Sequence, residues 1–306
     1  VAEPKTEGLI SVDKGRGPTS HDVVDMARRV FGMQRVGHAG TLDPAAHGVL
    51  LLLLGRVTRL ARFFVDYNKE YRVVVKLGEE TSTGDDQGEV LYKRKVTAAA
   101  YDALPAVVRS FVGDVVQRVP KFSAVKRDGE PLYRRARRGE DVEAPTRTVK
   151  VYRFDVVETA PPTFTAVIEC GGGTYVRALA RDVGRKLGVG AHVVDLERRA
   201  VGPFRIADAL AQDILEEGTL DEILAAPHYA PASALLPELP AARLSAAEVA
   251  DVAHGRPVAA PASLVDGAPV RLVAPDGSLV GVGVVAGEGR VQPDTVLVTP
   301  EELGDK

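Results

Sequence analysis

Residues 49–54 read VLLLLL, directly after a polar, glycine-rich stretch, RVGHAGTLDPAAHG, that carries one acid, Asp43. Six apolar residues fall far short of the ~20 that a membrane-spanning helix needs, so the run must be a strand or helix buried in a core. Whatever precedes it is then anchored at the edge of that core, and Asp43 is so placed. Pro44 fixes its own φ and pushes Asp43 toward an extended backbone, which presents the carboxylate from a turn. Gly37, Gly40 and Gly48 permit sharp bends or the close approach of a ligand. A rigidly held carboxylate suits a nucleophile. An Asp-Pro pair also commonly does no more than organise a turn, and spacing alone does not choose between the two.

At 306 residues the chain exceeds one typical domain and reads as one large unit plus a smaller one. Its 45% hydrophobic content supports a sizeable core, and 26% charged residues are ordinary for a globular protein. Cys170 is the only cysteine, which excludes an intramolecular disulfide and a cysteine-based zinc site and fits a reducing cytoplasm. The first residues, VAEPKTEGLISVDK, show no apolar core of signal-peptide length, and no later stretch is long and apolar enough to span a membrane. The expectation is a soluble, cytoplasmic protein.

A net charge of -3 argues at first against a nucleic-acid partner. The charge is uneven, however. Residues 118–150 hold ten Lys or Arg against five acids, and residues 171–205 hold seven against three, whereas residues 206–251 hold nine acids and only Arg243. Two basic segments can steer a polyanion whatever the average.

Along the chain, residues 8–13 (GLISVD) alternate as a strand, and KGRGP at 14–18 is a turn. Thr19, Ser20 or Asp22 then caps a helix with Val23, Val24, Ala27, Val30 and Phe31 on one face. Arg56, Arg59 and Arg62 lie three apart, one helical face if residues 57–65 are helical. Such a face is commonly solvated; Arg59 is kept as a candidate substrate contact. Residues 69–77 (KEYRVVVKL) alternate as a half-buried strand with Tyr71, Val73 and Val75 on one side. Residues 78–88 form a polar turn in which Asp85 and Asp86 lack the spacing of a calcium loop. Residues 98–113 read as a helix with Tyr101, Leu104, Val107, Val108 and Phe111 inward, and residues 148–157 and 164–170 read as strands. In GGGTYVRALARDVGRKLGVG, Thr174 is placed to cap a helix with Val176, Leu179, Ala180, Val183 and Leu187 buried and Gly188 as its stop. The glycine triplet matches neither phosphate-loop pattern. Residues 206–240 read as an acidic helix and then a linker, and a small β unit follows from residue 241.

Several of these segments resemble one family. DKGRGPTSHDVV, VGHAGTLDP followed by GVL, and GTYVR occur in the order found in the pseudouridine synthases, specifically the TruB branch that modifies uridine 55 in the T-loop of transfer RNA. KEYRV, TSTGDDQG, PKFSAVK with LYRRARRG, and DLERR are similar to further motifs of that family, so the resemblance covers most of residues 8–205 and, more loosely, the last sixty or so. It implies an α+β fold with a mixed, largely antiparallel central sheet and flanking helices, spanning residues 1–235 with an RNA-clasping insertion at about 118–150. A small C-terminal β-barrel of the PUA RNA-binding type follows at residues 241–306. It further implies Asp43 as nucleophile, Tyr71 stacking on the target base, Arg177 pairing with the catalytic carboxylate and Tyr175 beside it. Leu196, with Arg198 or Arg199, closes the site, and Asp85 organises its loop or pairs with a cation. His38 contacts RNA, while Lys126, Tyr133, Arg134 and Arg137 clasp the stem-loop. Where many relatives carry Ser and then Lys or Arg after the cysteine, this chain has Gly171 and Gly172.

The reaction so implied is isomerisation of uridine: the N1–C1′ bond breaks, the base turns, and a C5–C1′ bond forms. It calls for no cofactor and no metal. The partner is tRNA through its T-stem-loop, with no membrane, no obligatory protein partner and a monomeric enzyme. Attack by Asp43 at C1′ and attack at C6 both remain open. Two other readings of the residues stand beside this one. His38, Asp43 and His47 could hold a metal for hydrolysis, although not in an HExxH arrangement, and the basic insertion with the small barrel could bind RNA without chemistry.

Overall fold

The leucine run is a strand with both faces covered. In the computed structural model, which describes residues 6–303 apart from 124, 128, 141–143, 226, 262, 263 and 288 (and not the side chains of 126, 127, 131 and 137), the N-terminal elements are β1 (Gly8–Lys14), α1 (Ser20–Phe31), β2 (Val36–Ala39), β3 (His47–Leu54) and β4 (Lys69–Leu77). Side chains alternate across a strand, and β3 uses this to join two cores. Leu50, Leu52 and Leu54 pack with Val23, Val24, Ala27 and Phe31 of α1. Val49, Leu51 and Leu53 pack with Val57, Leu60 and Phe64 and with Leu279, Val282 and Leu297 from the C-terminal part. Each such fully buried side chain contributes about 1.5–3 kcal/mol, which makes β3 the spine of the molecule.

The central sheet runs Leu210–Ala211, β1, β3, Ala191–Val201, β4, Thr163–Cys170, Thr146–Ala160, Gly113–Arg118, and it is mixed and largely antiparallel, as expected. Its two parallel pairings are β1 with Leu210–Ala211 and β3 with Ala191–Val201. On the side away from β1, β3 changes partner. Its distal half pairs with β2, while His47 and Gly48 pair with Glu197 and Arg198. The loop joining β2 to β3, which carries Asp43, therefore emerges at a split in the sheet.

Helix α1 begins with a reciprocal capping box between Thr19 and Asp22 and ends at Gly32, which takes a left-handed conformation. Residues 206–240 differ from the expected helix and linker. Leu210–Ala211 and Tyr229–Pro231 both pair with β1, and the short helices Gln212–Glu217 and Leu220–Ile223 lie between them. The open side of β1 needed both backbone partners and apolar cover, and Leu210, Leu215 and Ile223 are buried there.

The C-terminal part also departs from expectation. Instead of a closed barrel, its described residues form an open five-stranded sheet in the order Ala241–Arg243, Pro269–Val273, Leu279–Ala286, Arg290–Val296, Val258–Ala259. The end strands are only three and two residues long, and helix Ala246–Ala253 covers the core through Val249 and Val252. The arginines spaced by three fasten this sheet. Arg56 pairs with Glu7 (2.5 Å) and Glu302, Arg59 donates to the carbonyl of Val296 (2.7 Å), and Arg62 pairs with Asp294. Arg59 and Arg62 keep solvent exposure while making these contacts, so the face is part solvated and part docked on the C-terminal sheet.

Gly48 marks the tightest point of the split. Its φ is +103°, and a Cβ there would lie 2.3 Å from the carbonyl oxygen of Arg198. Gly48→Ala is expected to destabilise the fold by roughly 2–4 kcal/mol, because the strain and the clash fall on backbone that cannot move aside. Urea unfolding would measure this, and an unchanged midpoint would contradict it.

Candidate active site

The loop bearing Asp43 is held from three directions. Ala46 donates to the carbonyl of Asp43 (3.0 Å), closing the turn around Pro44, and Gly17 donates to the carbonyl of Pro44 (2.8 Å). At the head of α1 the Ser20 hydroxyl donates to the carbonyl of Leu42 (3.0 Å) and accepts from its N–H (2.8 Å). Beneath the loop Arg198, 1% exposed, donates from Nε to Val49 (2.7 Å), from Nη2 to Gly40 (3.0 Å) and from Nη1 to Thr41 (3.3 Å), all backbone carbonyls. The Asp43 carboxylate itself is 35% exposed and faces a cleft of about 450 Å³.

Across from it, Arg177 projects from helix Val176–Lys186. Its Nη1 and Nη2 donate to the carbonyls of Thr83 (2.7 Å) and Phe122 (3.0 Å), which leaves Nε turned to Asp43 Oδ2 at 2.8 Å. This contact is a close ion pair, not an aligned hydrogen bond. Asp85 Oδ2 lies 3.8 Å from the same nitrogen, and its Oδ1 accepts from Thr83 and from the N–H of Gln87 (3.2 Å), so this acid both organises its loop and attends the guanidinium. The helix start differs from expectation. Thr174 donates to the carbonyl of Gly171 (2.9 Å), and the capping position is Tyr175, whose N–H and carbonyl are both bound by the buried side chain of Gln117. A side chain distant in sequence thus replaces the local cap.

Tyr71, 8% exposed, lines the cleft from β4, and burial pushes its phenol pKa up, so the hydroxyl keeps its proton at neutral pH. His38 also lines the cleft. Its burial, with Arg198 and His21 nearby, lowers its pKa and favours a neutral imidazole whose Nδ1 has no protein partner. Two lysines are buried as well. Lys14 donates to the carbonyls of Gly15 (2.7 Å) and Pro18 (2.9 Å), and Lys69 to those of Val65 and Tyr67 (2.5 Å). Desolvation brings each down from 10.5 to about 8.

That depression has a sign. Between about pH 8 and 10.5 the unfolded chain binds more protons at these two positions than the folded one, so their cost, complete below pH 8, disappears as pH rises through the window. Wild type is therefore expected to gain stability relative to Lys69→Met as the pH is raised from 8 toward 10. A difference independent of pH, measured by urea unfolding, would contradict the assignment.

With this geometry established, three family models account for most of the chain. One described as TruB family pseudouridylate synthase (N terminal domain) matches residues 28–176, one described as tRNA pseudouridylate synthase B C-terminal domain matches 177–232, and one described as Pseudouridine synthase II TruB, C-terminal matches 240–297. The curated protein tRNA pseudouridine synthase B of Burkholderia pseudomallei (strain 668) is 38% identical over 98% of this chain and 99% of its own length. Its namesake from Arthrobacter sp. (strain FB24) is 40% identical over the same shares. The chain belongs to the TruB family of pseudouridine synthases.

Among solved structures, a chain of an archaeal box H/ACA sRNP Nop10–Cbf5 complex superposes with a TM-score of 0.71 at 26% identity, covering 97% of this chain and 88% of that one. A chain from an H/ACA RNP bound to a substrate RNA containing 2′-deoxyuridine gives 0.71 at 25% identity, covering 96% and 86%. The pseudouridine synthase fold is thus shared well beyond the close TruB relatives.

Of the residues that the TruB motifs single out, the fold brings Asp43, Tyr71, Arg177, His38, Tyr175 and Leu196 to one cleft. It does not bring Arg59, which is spent on Val296, nor Tyr133 and Arg134, which sit on helix Leu132–Arg137 outside the cleft wall. From that basic helix Arg135 pairs with Glu140, and Arg138, just past its end, pairs with Glu130 and Glu140. The side chains of Lys126 and Arg137 lie outside the described residues. His47 does not join His38 and Asp43 as a metal set would require, because its Nε2 is 3.1 Å from Asp195 Oδ1 and it borders a different recess. At Gly172 a Cβ would lie 2.7 Å from the carbonyl oxygen of Val65, so the backbone approach there suits a glycine. Lys69, Ser123 and Arg147 also line the cleft without having been singled out, and Arg198 proves to be the buried member of the Arg198–Arg199 pair. Lys69 within KEYRV and Ser123 within PKFSAVK had a sequence signal in those motifs, whereas Arg147 had none.

Proposed function

We propose that the protein isomerises uridine 55 in the T-loop of tRNA to pseudouridine, with Asp43 as nucleophile. The observation that carries this reading is the Asp43 carboxylate, reachable from solvent, with the Arg177 guanidinium 2.8 Å away at the rim of a cleft walled by Tyr71. The guanidinium pairs with the carboxylate and fixes its direction. The target nucleotide leaves its stack at a cost of a few kcal/mol, which stacking on Tyr71 and phosphate contacts offset. Leu196 and Tyr175 confine the base, and neutral His38 contacts RNA by hydrogen bonding. The N1–C1′ bond breaks, the C5–C1′ bond forms, the C5 proton passes to solvent and N1 gains one, so the atoms balance without a cofactor.

In this reading residues 1–235 are the catalytic domain, and the segment at about 118–150, with Lys126, Tyr133, Arg134 and Arg137, clasps the stem-loop. Residues 241–306 are a PUA-like RNA-binding unit, and the enzyme works in the cytoplasm as a monomer without a protein partner. Among the described residues no helix is long and apolar enough to cross a membrane.

Tritium release from tRNA carrying 5-tritiated uridine tests the reaction. The expected result is stoichiometric release of one label per tRNA, with the modified base mapped to the T-loop uridine. Properly folded protein that releases none from several tRNAs would sink the proposal.

A further inference from the structure

Four buried side-chain polar atoms among the described residues have no hydrogen-bond partner: His38 Nδ1, Ser123 Oγ, Arg147 Nε and Arg177 Nε. All four residues line the cleft that Asp43 faces. Unsatisfied buried donors are costly and rare in a folded interior, and their concentration in one place marks a surface built to receive a polar ligand. Arg177 is turned to Asp43. Arg147 is different, because among the described residues no carboxylate pairs with it.

The Arg147 side chain is half-buried at the start of strand Thr146–Ala160. Its guanidinium lies over the ring of Tyr175, 4.6 Å from the centroid, and this fixes its plane. A Cβ on Gly173 would come within 2.9 Å of Nη1, so the glycine leaves room for the head group. A stacked guanidinium without a counter-ion, its edge available to a concave site, is a fork for an anion. Tyr175 and Gly173 lie against the guanidinium, and Asp43 is the one acid among the described residues that line this cleft.

We propose that Arg147 is a substrate-binding residue that holds the backbone phosphate flanking the uridine inserted into the cleft. The inference rests on the proposed RNA reaction and adds a contact to it. Because the guanidinium shares the cleft with Asp43, the phosphate within its reach belongs to the inserted nucleotide or its immediate neighbour, not to the distant stem. Tyr175 then has a second role, as the platform that orients Arg147.

The test compares wild type, Arg147→Met and Arg147→Lys for binding to a T-stem-loop RNA over a range of salt. Arg147→Met is expected to bind roughly tenfold more weakly and to lower the slope of log Kd against log salt by about one; Arg147→Lys keeps the slope and loses part of the affinity. RNAs carrying one methylphosphonate, placed in turn on either side of the target uridine, close the cycle. At one of the two positions the loss from Arg147→Met should vanish, since the contact is already gone. A merely structural arginine would change the unfolding midpoint but neither the slope nor the cycle. An unchanged slope, or strictly additive losses at both phosphates, would overturn the proposal. Wild type that binds the RNA and releases tritium in the same preparation shows that such a failure belongs to Arg147 alone; wild type that does neither would instead overturn the reaction on which the inference stands.

Discussion

Asp43→Asn is expected to abolish tritium release, lowering turnover roughly 10⁴-fold or more, the scale on which loss of an essential nucleophile is read. The change is nearly isosteric, and the loop that carries residue 43 is held by backbone contacts from Ser20, Gly17 and Arg198, none of which involves the carboxylate. Arg177 loses its closest anion but keeps both carbonyl acceptors and Asp85 at 3.8 Å, so the fold should survive. RNA binding should persist or tighten slightly, since one negative charge has left a surface that meets a polyanion. A folded variant with turnover within an order of magnitude of wild type would remove Asp43 from the chemistry. Loss of binding together with turnover would point to a positioning role instead.

Arg198→Met should give the second-largest effect, through a different route. Replacing a buried ion by a hydrophobic residue is sometimes harmless, but only when its partners are replaced too. Here the carbonyls of Val49, Gly40 and Thr41 would stay, and the last two belong to the approach to Asp43. Orphaned buried acceptors cost about 1–3 kcal/mol each, partly relieved by relaxation, so a loss of roughly 3–5 kcal/mol is expected. Because the Asp43 loop loosens, kcat should fall more than KM rises. Arg198→Lys, which can restore some but not all of the donors, should recover part of the stability and less of the turnover. Equal stability in the methionine variant, measured by urea unfolding, would show that the three contacts do not hold the loop.

The way the sequence could be read follows from which residues obey local rules. The Thr19–Asp22 capping box and the terminal Gly32 are fixed by neighbours three and one positions away, and α1 lies where its periodicity places it. Strand β4 alternates buried and half-buried residues without exception, which puts Tyr71 on the core side. The ion pair between Asp43 and Arg177 was legible only through family motifs, because 134 positions separate the two residues and no periodicity links them. Local pattern offers Thr174 as the cap, but Gln117, far along the chain, satisfies the backbone of Tyr175 instead.

Other features had no local signature at all. Spacing by three put Arg56, Arg59 and Arg62 on one face, but which surface met that face depended on where the C-terminal sheet docked. Lys14, Lys69 and Arg198 are charged residues that composition assigns to the surface, yet they are buried because backbone carbonyls converge on them. The C-terminal strands were visible as short alternating runs, but the order in which they pair, with Ala241–Arg243 and Val258–Ala259 at the two ends among the described residues, was not.

By itself, then, the sequence determined what depends on neighbours along the chain: a buried apolar segment at residues 49–54, a capped helix before it, and a carboxylate placed at the edge of that segment. Tertiary structure alone decided which distant groups face that carboxylate, which cations are buried, and which arginine in the cleft has no counter-ion among the described residues. The physical reason is range. Backbone geometry and side-chain periodicity act over a few residues, whereas desolvation and ion pairing act across whatever the folded chain brings within a few ångströms.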